Sequence, residues 1–187
     1  MALHIVLDHS ALIPCGDKPQ EEKTAIRKIG ELLPELDVVW HTSRSYLKTL
    51  HAVLSRQLKQ HHPLPRLHSI LMRNLRNILQ LSNNKTWWCQ PRTLAEHAKM
   101  KMHVVARSAL EHVNQELLNS LETSKGLSRE DLEVVALAVA STRYASPIHL
   151  VTTDGQLLQM ATQLAQSRGL EVKVLTPRQI ITSLDKT

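Results

Sequence analysis

His4-Ile5-Val6-Leu7-Asp8-His9-Ser10 opens the chain with an apolar run that stops at a carboxylate, a turn residue and a hydroxyl. Ile5 to Leu7 reads as a short strand buried on both faces, because it is continuous rather than alternating. Asp8 then stands at the carboxyl end of that strand. In open α/β sheets, ligands bind at that end of the strands. Ile148-His149-Leu150-Val151-Thr152-Thr153-Asp154 repeats the pattern near the other end of the chain: an apolar strand, hydroxyls, an acid.

Between these two stretches, strand-like and helix-like segments alternate. Gln20 to Leu33 has helical spacing, with Ala25, Ile26, Ile29, Leu32 and Leu33 on one side, and Pro34 stops it. Leu36 to Trp40 reads as a second strand, and Thr42-Ser43 could cap a helix from about Arg44 to Gln60. His61-His62-Pro63-Leu64-Pro65 is a break. A helix follows over Leu67 to Leu81, and Lys85 to Cys89 reads as a short strand or an irregular edge. Pro91-Arg92 opens a long helix to about Glu122, interrupted near Lys101. Ser128 is an N-cap with Asp131 at capping-box spacing, and the mostly apolar helix over Val134 to Ala140 should be central. Gly155 to Arg168 is an amphipathic helix ended by Gly169. Val172 to Leu175 is a last strand, with a helix starting at Thr176-Pro177. Strands alternating with helices predict an α/β fold with a mostly parallel sheet. The 187 residues suit a single domain, 1–187, with a basic helical region over 43–122 inside it.

Composition narrows the function. Phenylalanine is absent, so Leu, Ile, Val and Ala must build the core. The apolar runs are too short to span a bilayer, and no signal peptide opens the chain, so a cytoplasmic protein without membrane contact is expected. Cys15 and Cys89 show neither a disulfide framework nor zinc spacing. There is no Walker A motif and no GxGxxG, which weighs against a nucleotide-binding module or a small-molecule phosphotransferase. The net charge is +6, and from His41 to Leu110 the only acid is Glu96 against twelve Lys and Arg. A field of one sign on that scale suits a polyanionic partner, RNA above all. Arg44, Lys48 and Arg92 are candidate phosphate contacts. Trp87-Trp88 reads either as packing or as a base-stacking surface.

Asp8, Asp131 and Asp154 each have two readings. Each could cap a helix, worth about 1 kcal/mol. Brought to one rim, they could instead hold Mg²⁺ or Mn²⁺, since clustered carboxylates repel unless a cation intervenes. Such an ion polarises a phosphoryl oxygen and activates a bound water. Ser10 and Thr153 could orient that water or a carboxylate.

The ordered set Val6-Leu7-Asp8-His9-Ser10-Ala11-Leu12-Ile13, Leu127-Ser128-Arg129-Glu130-Asp131 leading into Val135-Ala136-Leu137-Ala138, and Leu150-Val151-Thr152-Thr153-Asp154-Gly155-Gln156-Leu157-Leu158 resembles the PIN domain. Val174-Leu175-Thr176-Pro177 fits its closing strand and turn. This is the nuclease fold of many toxin–antitoxin ribonucleases and RNA-processing enzymes. The resemblance covers about the first forty residues and the last sixty. It implies a three-layer sandwich and a metal-dependent endoribonuclease, with Asp8, Asp131 and Asp154 as metal ligands and Ser10 as a supporting catalytic hydroxyl. It also implies RNA as substrate, and is compatible with a homodimer and with an antitoxin or other protein partner. Two features depart from the pattern. The acid that the family carries on the helix after the second strand should fall near Lys48 or Thr49, where none exists, leaving Glu35 and Glu130 as weak substitutes. The basic middle is also long. The missing acid motivates an alternative: a PIN-like module with little or no turnover that binds RNA or protein.

Overall fold

A computed structural model of the chain describes residues 2–12, 18–59, 101–120 and 128–184. Five strands form one all-parallel sheet: β1 (Leu3–Leu7), β2 (Val38–Thr42), β3 (Lys101–Val104), β4 (Ile148–Val151) and β5 (Val172–Leu175). Six α-helices join them among the described residues: α1 (Gln20–Leu32), α2 (Arg44–Lys59), α3 (Arg107–Ser120), α4 (Arg129–Ser141), α5 (Gly155–Ser167) and α6 (Pro177–Leu184). The spatial order is β3-β2-β1-β4-β5. The sequence therefore steps outward from β1 to β2 and β3, then returns to the other side of β1 for β4 and β5. The strand order reverses between β1 and β4, which makes the crevice at their carboxyl ends the natural ligand site of the sheet.

Ile5, Val6 and Leu7 are each 0% exposed, so β1 is covered on both faces. That is the arrangement its unbroken apolar run predicts. Helix α4 lies over β1, β2 and β4 and packs against α3 and α5; α1 packs against α6, which touches β5. The architecture is compatible with a three-layer sandwich. Helix α4 is central because its run from Val134 to Ala140 is wholly apolar: Val134 through Ala138 and Ala140 are buried. Ser141, also buried, satisfies its hydroxyl by donating to Leu137 O at 2.7 Å. In place of phenylalanine, Trp40 and Tyr46 supply the largest fully buried side chains.

Three sequence-based boundaries are corrected. The second strand runs Val38–Thr42, not Leu36–Trp40, because His41 and Thr42 are buried despite their polarity. Pro34 does not end α1 in coil; Leu33–Glu35 continue it as a 3₁₀ turn, with Pro34 at a starting position where its missing N–H costs nothing. The interruption near Lys101 is a strand, β3, followed by a separate helix from Arg107, so the region 43–122 is not wholly helical. Gly169 ends α5 as expected. Its φ of 59° lets Gly169 N and Leu170 N close back on Gln166 O and Ala165 O, a left-handed C-cap. The expected helix at 67–81, the strand at 85–89, and Cys15, Cys89, His61, His62, Trp87, Trp88 and Arg92 lie outside the described residues. Among the described residues, no helix is long and apolar enough to cross a membrane.

Candidate active site

Asp8 follows β1 at the switch point, where its N–H donates to Val151 O of β4 at 3.0 Å. Its side chain is 1% exposed. Both Ser10 Oγ and Thr152 Oγ1 donate to Asp8 Oδ2, the latter at 2.9 Å. The two hydroxyls are themselves 3.2 Å apart, and Thr153 N and Asp154 N donate to Ser10 Oγ and Thr152 Oγ1, each at 3.0 Å. The turns after β1 and β4 are thus joined by one hydroxyl network that grips a single carboxylate oxygen.

The other oxygen, Asp8 Oδ1, is buried without a hydrogen-bond partner among the described residues. His9 Nδ1 stands 3.0 Å from it, a charge pairing without hydrogen-bond alignment. Burial pushes the Asp8 carboxyl up, but His9 and the two hydroxyls outweigh it and hold the group below the usual carboxylate range. Contact with Asp8 raises the His9 imidazole against the effect of its burial, and the charges of Glu130 and Asp131 add to the rise.

Those two acids place the start of α4 on the same rim. Helix α4 begins with a full capping box: Ser128 Oγ accepts from Asp131 N at 3.1 Å, and Asp131 Oδ2 accepts from Ser128 N at 2.9 Å. Two residues on, Glu133 Oε1 accepts from Ser45 Oγ and, at 3.4 Å, from Ser43 Oγ, just beyond the end of β2. An acid therefore stands at the start of α2, but it comes from α4 rather than from α2 itself. Asp154 caps α5, with Oδ1 accepting from Gln156 N at 2.8 Å and Leu157 N at 3.0 Å. The capping reading of Asp131 and Asp154 is realised: each accepts backbone N–H groups at the start of a helix through one carboxylate oxygen.

The structure brings Asp8 and Ser10 into direct contact. It does not gather Asp8, Asp131 and Asp154 into one ligand set: among the described residues, no three Asp, Glu, His or Cys side chains converge closely enough to hold an ion together. Of the candidate phosphate contacts, Arg44 and Lys48 are exposed on α2, which starts at this rim. Thr152, Glu133 and Tyr46 are missed by sequence reasoning. Tyr46 is 0% exposed, and its hydroxyl donates to Leu7 O at 2.9 Å, one residue before Asp8. Burial, with the charges of Asp8, Glu133 and Glu130, keeps its phenol well above the ordinary range and so protonated. Glu133 had a signal, three residues after Glu130 on a helix otherwise apolar beyond it, which puts both acids on one face.

The hydroxyl grip has a measurable consequence. Removing either donor, as Ser10→Ala or Thr152→Val, should let burial push the Asp8 carboxyl upward. Hydrogen bonds to a charged group contribute about 1.5–3 kcal/mol, roughly one pH unit or more. An Asp8 ¹³C carboxyl titration should show that rise, and Thr152→Ser should leave the midpoint where it is.

Comparison with known proteins returns no match to a protein family, to a curated protein or to a solved structure.

Proposed function

We propose that this chain is a metal-dependent endoribonuclease of the PIN type. The observation that carries the reading is Asp8. It is a buried carboxylate at the β1/β4 switch point, ionised, with one oxygen saturated by two hydroxyls and the other lacking a hydrogen bond among the described residues. The donor set suits Mg²⁺ or Mn²⁺, since Mg²⁺ keeps several waters and takes only one or two protein carboxylates. Asp8 would hold the ion through Oδ1. Asp131 and Asp154 would meet its waters or a second ion through the oxygens that do not cap helices. Bound there, the ion would supply a polarised phosphoryl oxygen and a water of lowered pKa.

The chain's own groups do the rest. Ser10 and Thr152 keep Asp8 unprotonated and fixed in orientation. Thr153 N and Asp154 N hold those hydroxyls so that their protons point at Asp8. His9, its imidazole raised by contact with Asp8, stands beside the carboxylate with its side chain 31% exposed. Arg44 and Lys48 face solvent at the start of the basic stretch, where an RNA backbone would run.

The test is incubation of a pool of single-stranded and structured RNA with Mg²⁺, Mn²⁺ or EDTA. Cleavage with either metal and none in EDTA is expected. No cleavage under any condition, with RNA still bound, would replace the reading by the binding module. Two observations favour that second reading: the acids do not converge among the described residues, and His9 already faces the open oxygen of Asp8. Under both readings, Arg44→Ala with Lys48→Ala should weaken RNA binding and lower the slope of log K against log salt by about 1 for each phosphate no longer neutralised. An unchanged slope would move the RNA path away from α2.

A further inference from the structure

Outside the Asp8 hydroxyl network, three histidines from the three adjacent strands β1, β2 and β3 stand in a row. His4 of β1, His41 of β2 and His103 of β3 share a face of the sheet, since His41 and His103 are register partners and His4 pairs with Val39, two residues before His41. His4 Nδ1 lies 3.0 Å from His41 Nε2, and His41 Nδ1 lies 3.1 Å from His103 Nδ1. The ring centroids are 5.2 and 5.0 Å apart, and Tyr144, just after α4, closes the row with its ring 4.4 Å from that of His103. His41 engages its two nitrogens with different neighbours, which fits a relay of hydrogen bonds rather than chelation of one metal.

We propose that this row is an acid-sensitive clasp that locks the edge strand β3 onto the sheet and releases it when the row takes up protons. Proton counting carries the argument. A neutral imidazole has one N–H and one lone pair. Three in a row therefore satisfy both N···N contacts in either of two orderings of tautomers, one for each direction of donation. One extra proton can be held on any ring without breaking a contact. A second cannot: five N–H groups on six nitrogens force two of them to face each other across one contact. With β3 released, His103 has no such limit, and the His4–His41 pair that remains can hold one extra proton of its own. Opening is therefore linked to the uptake of one to two protons: two extra protons fit on the opened groups, against at most one on the closed row.

Surrounding groups agree with a row that stays neutral near pH 7. His41 is 1% exposed, and no carboxylate touches it among the described residues. Burial, with His103 and His4 beside it, lowers its imidazole to about 3. Burial lowers His4 and His103 too, Asp37 opposing the effect at His4. Asp37 does not titrate in the relevant window, because its ion pair with Lys101 of β3, at 2.8 Å, holds it low. His149 of β4, with Nδ1 3.3 Å from His4 O and Lys173 of β5 nearby, is also lowered, first by burial. Its protonation loads the β1–β4 side of the sheet rather than β3. The sign follows: groups with depressed folded pKa stabilise the closed strand above pH 6.5 and withdraw that support as pH falls. Strand β3 follows directly in sequence on residues 60–100, which carry six of the twelve Lys and Arg between His41 and Leu110.

Amide exchange of the intact chain tests the clasp. Val105 N donates to Thr42 O at 2.8 Å and reports β3; Thr152 N donates to Leu175 O at 3.1 Å and reports β4–β5. After correction for intrinsic rates, the opening constant of Val105 should rise about tenfold to a hundredfold per pH unit below pH 6. That of Thr152 should lag well behind. Parallel loss of both would mean global acid unfolding and overturn the clasp, as would a flat Val105 profile. His103→Phe keeps a ring against Tyr144 and removes one titrating group, so its Val105 profile should be shallower by about one proton. An unchanged slope in that variant would also overturn it.

Discussion

Asp8→Asn should lose RNA cleavage by about 10²–10³-fold or more while remaining folded. Asparagine has the same shape, so Ser10 and Thr152 can still donate to its amide oxygen. What disappears is the charge. Oδ1 no longer carries the charge that attracts a cation, and His9 loses the partner that raises its imidazole. The melting temperature should stay within a few degrees of wild type or rise, because the substitution removes a buried charge whose desolvation opposes folding. RNA affinity should be equal or higher, since one negative charge leaves a site that faces phosphate. The variant should also be insensitive to EDTA, and its residual rate should match that of wild type in EDTA. That coincidence distinguishes loss of the metal position from a general defect. Cleavage at the wild-type rate by Asp8→Asn in Mg²⁺ would end the nuclease reading.

How much of this site is legible in the sequence depends on distance along the chain. Asp8 and Ser10 are two residues apart, and the strand that precedes them announces itself by its unbroken apolar run. The cap at Ser128–Asp131 and the turn at Thr152–Asp154 are equally local. Glu133 is not local. Its contact with Ser43 and Ser45 spans about ninety residues and exists only because α4 points its N-terminus at the end of β2. The absence of an acid near Lys48 is read correctly from sequence, but the acid that does stand at the start of α2 comes from another helix. Strand β3 is illegible for a different reason. Only Met102 of its four residues is buried, as befits an edge strand, and its flanks have helical spacing. The histidine row has no sequence signal at all, because strand register alone assembles His4, His41 and His103.

Tyr46 shows how a residue without motif status can control the site. It lies in the first turn of α2, where Ser43 Oγ accepts from its N–H at 3.1 Å. Its ring is fully buried, and its hydroxyl donates to the last carbonyl of β1. One side chain thus ties the start of the basic helix to the residue preceding Asp8. Tyr46→Ala should destabilise the fold by about 3–5 kcal/mol, the range for truncating a buried aromatic ring. For a chain of this length that is a melting-temperature drop of roughly 10 °C. Tyr46→Phe keeps the ring and removes only the hydroxyl, leaving Leu7 O without that donor, at about 1–2 kcal/mol. Chemical denaturation measures both. The functional readout comes from Tyr46→Phe, assayed well below its melting temperature. If the tether sets the distance between Arg44, Lys48 and Asp8, the rate of cleavage of bound RNA should fall more than the affinity does. A variant with wild-type stability would show that the Tyr46–Leu7 bond contributes nothing net. Reduced stability with an unchanged rate would mean that α2 holds its place at the rim without the tether, leaving the Glu133 contact with Ser43 and Ser45 to orient it.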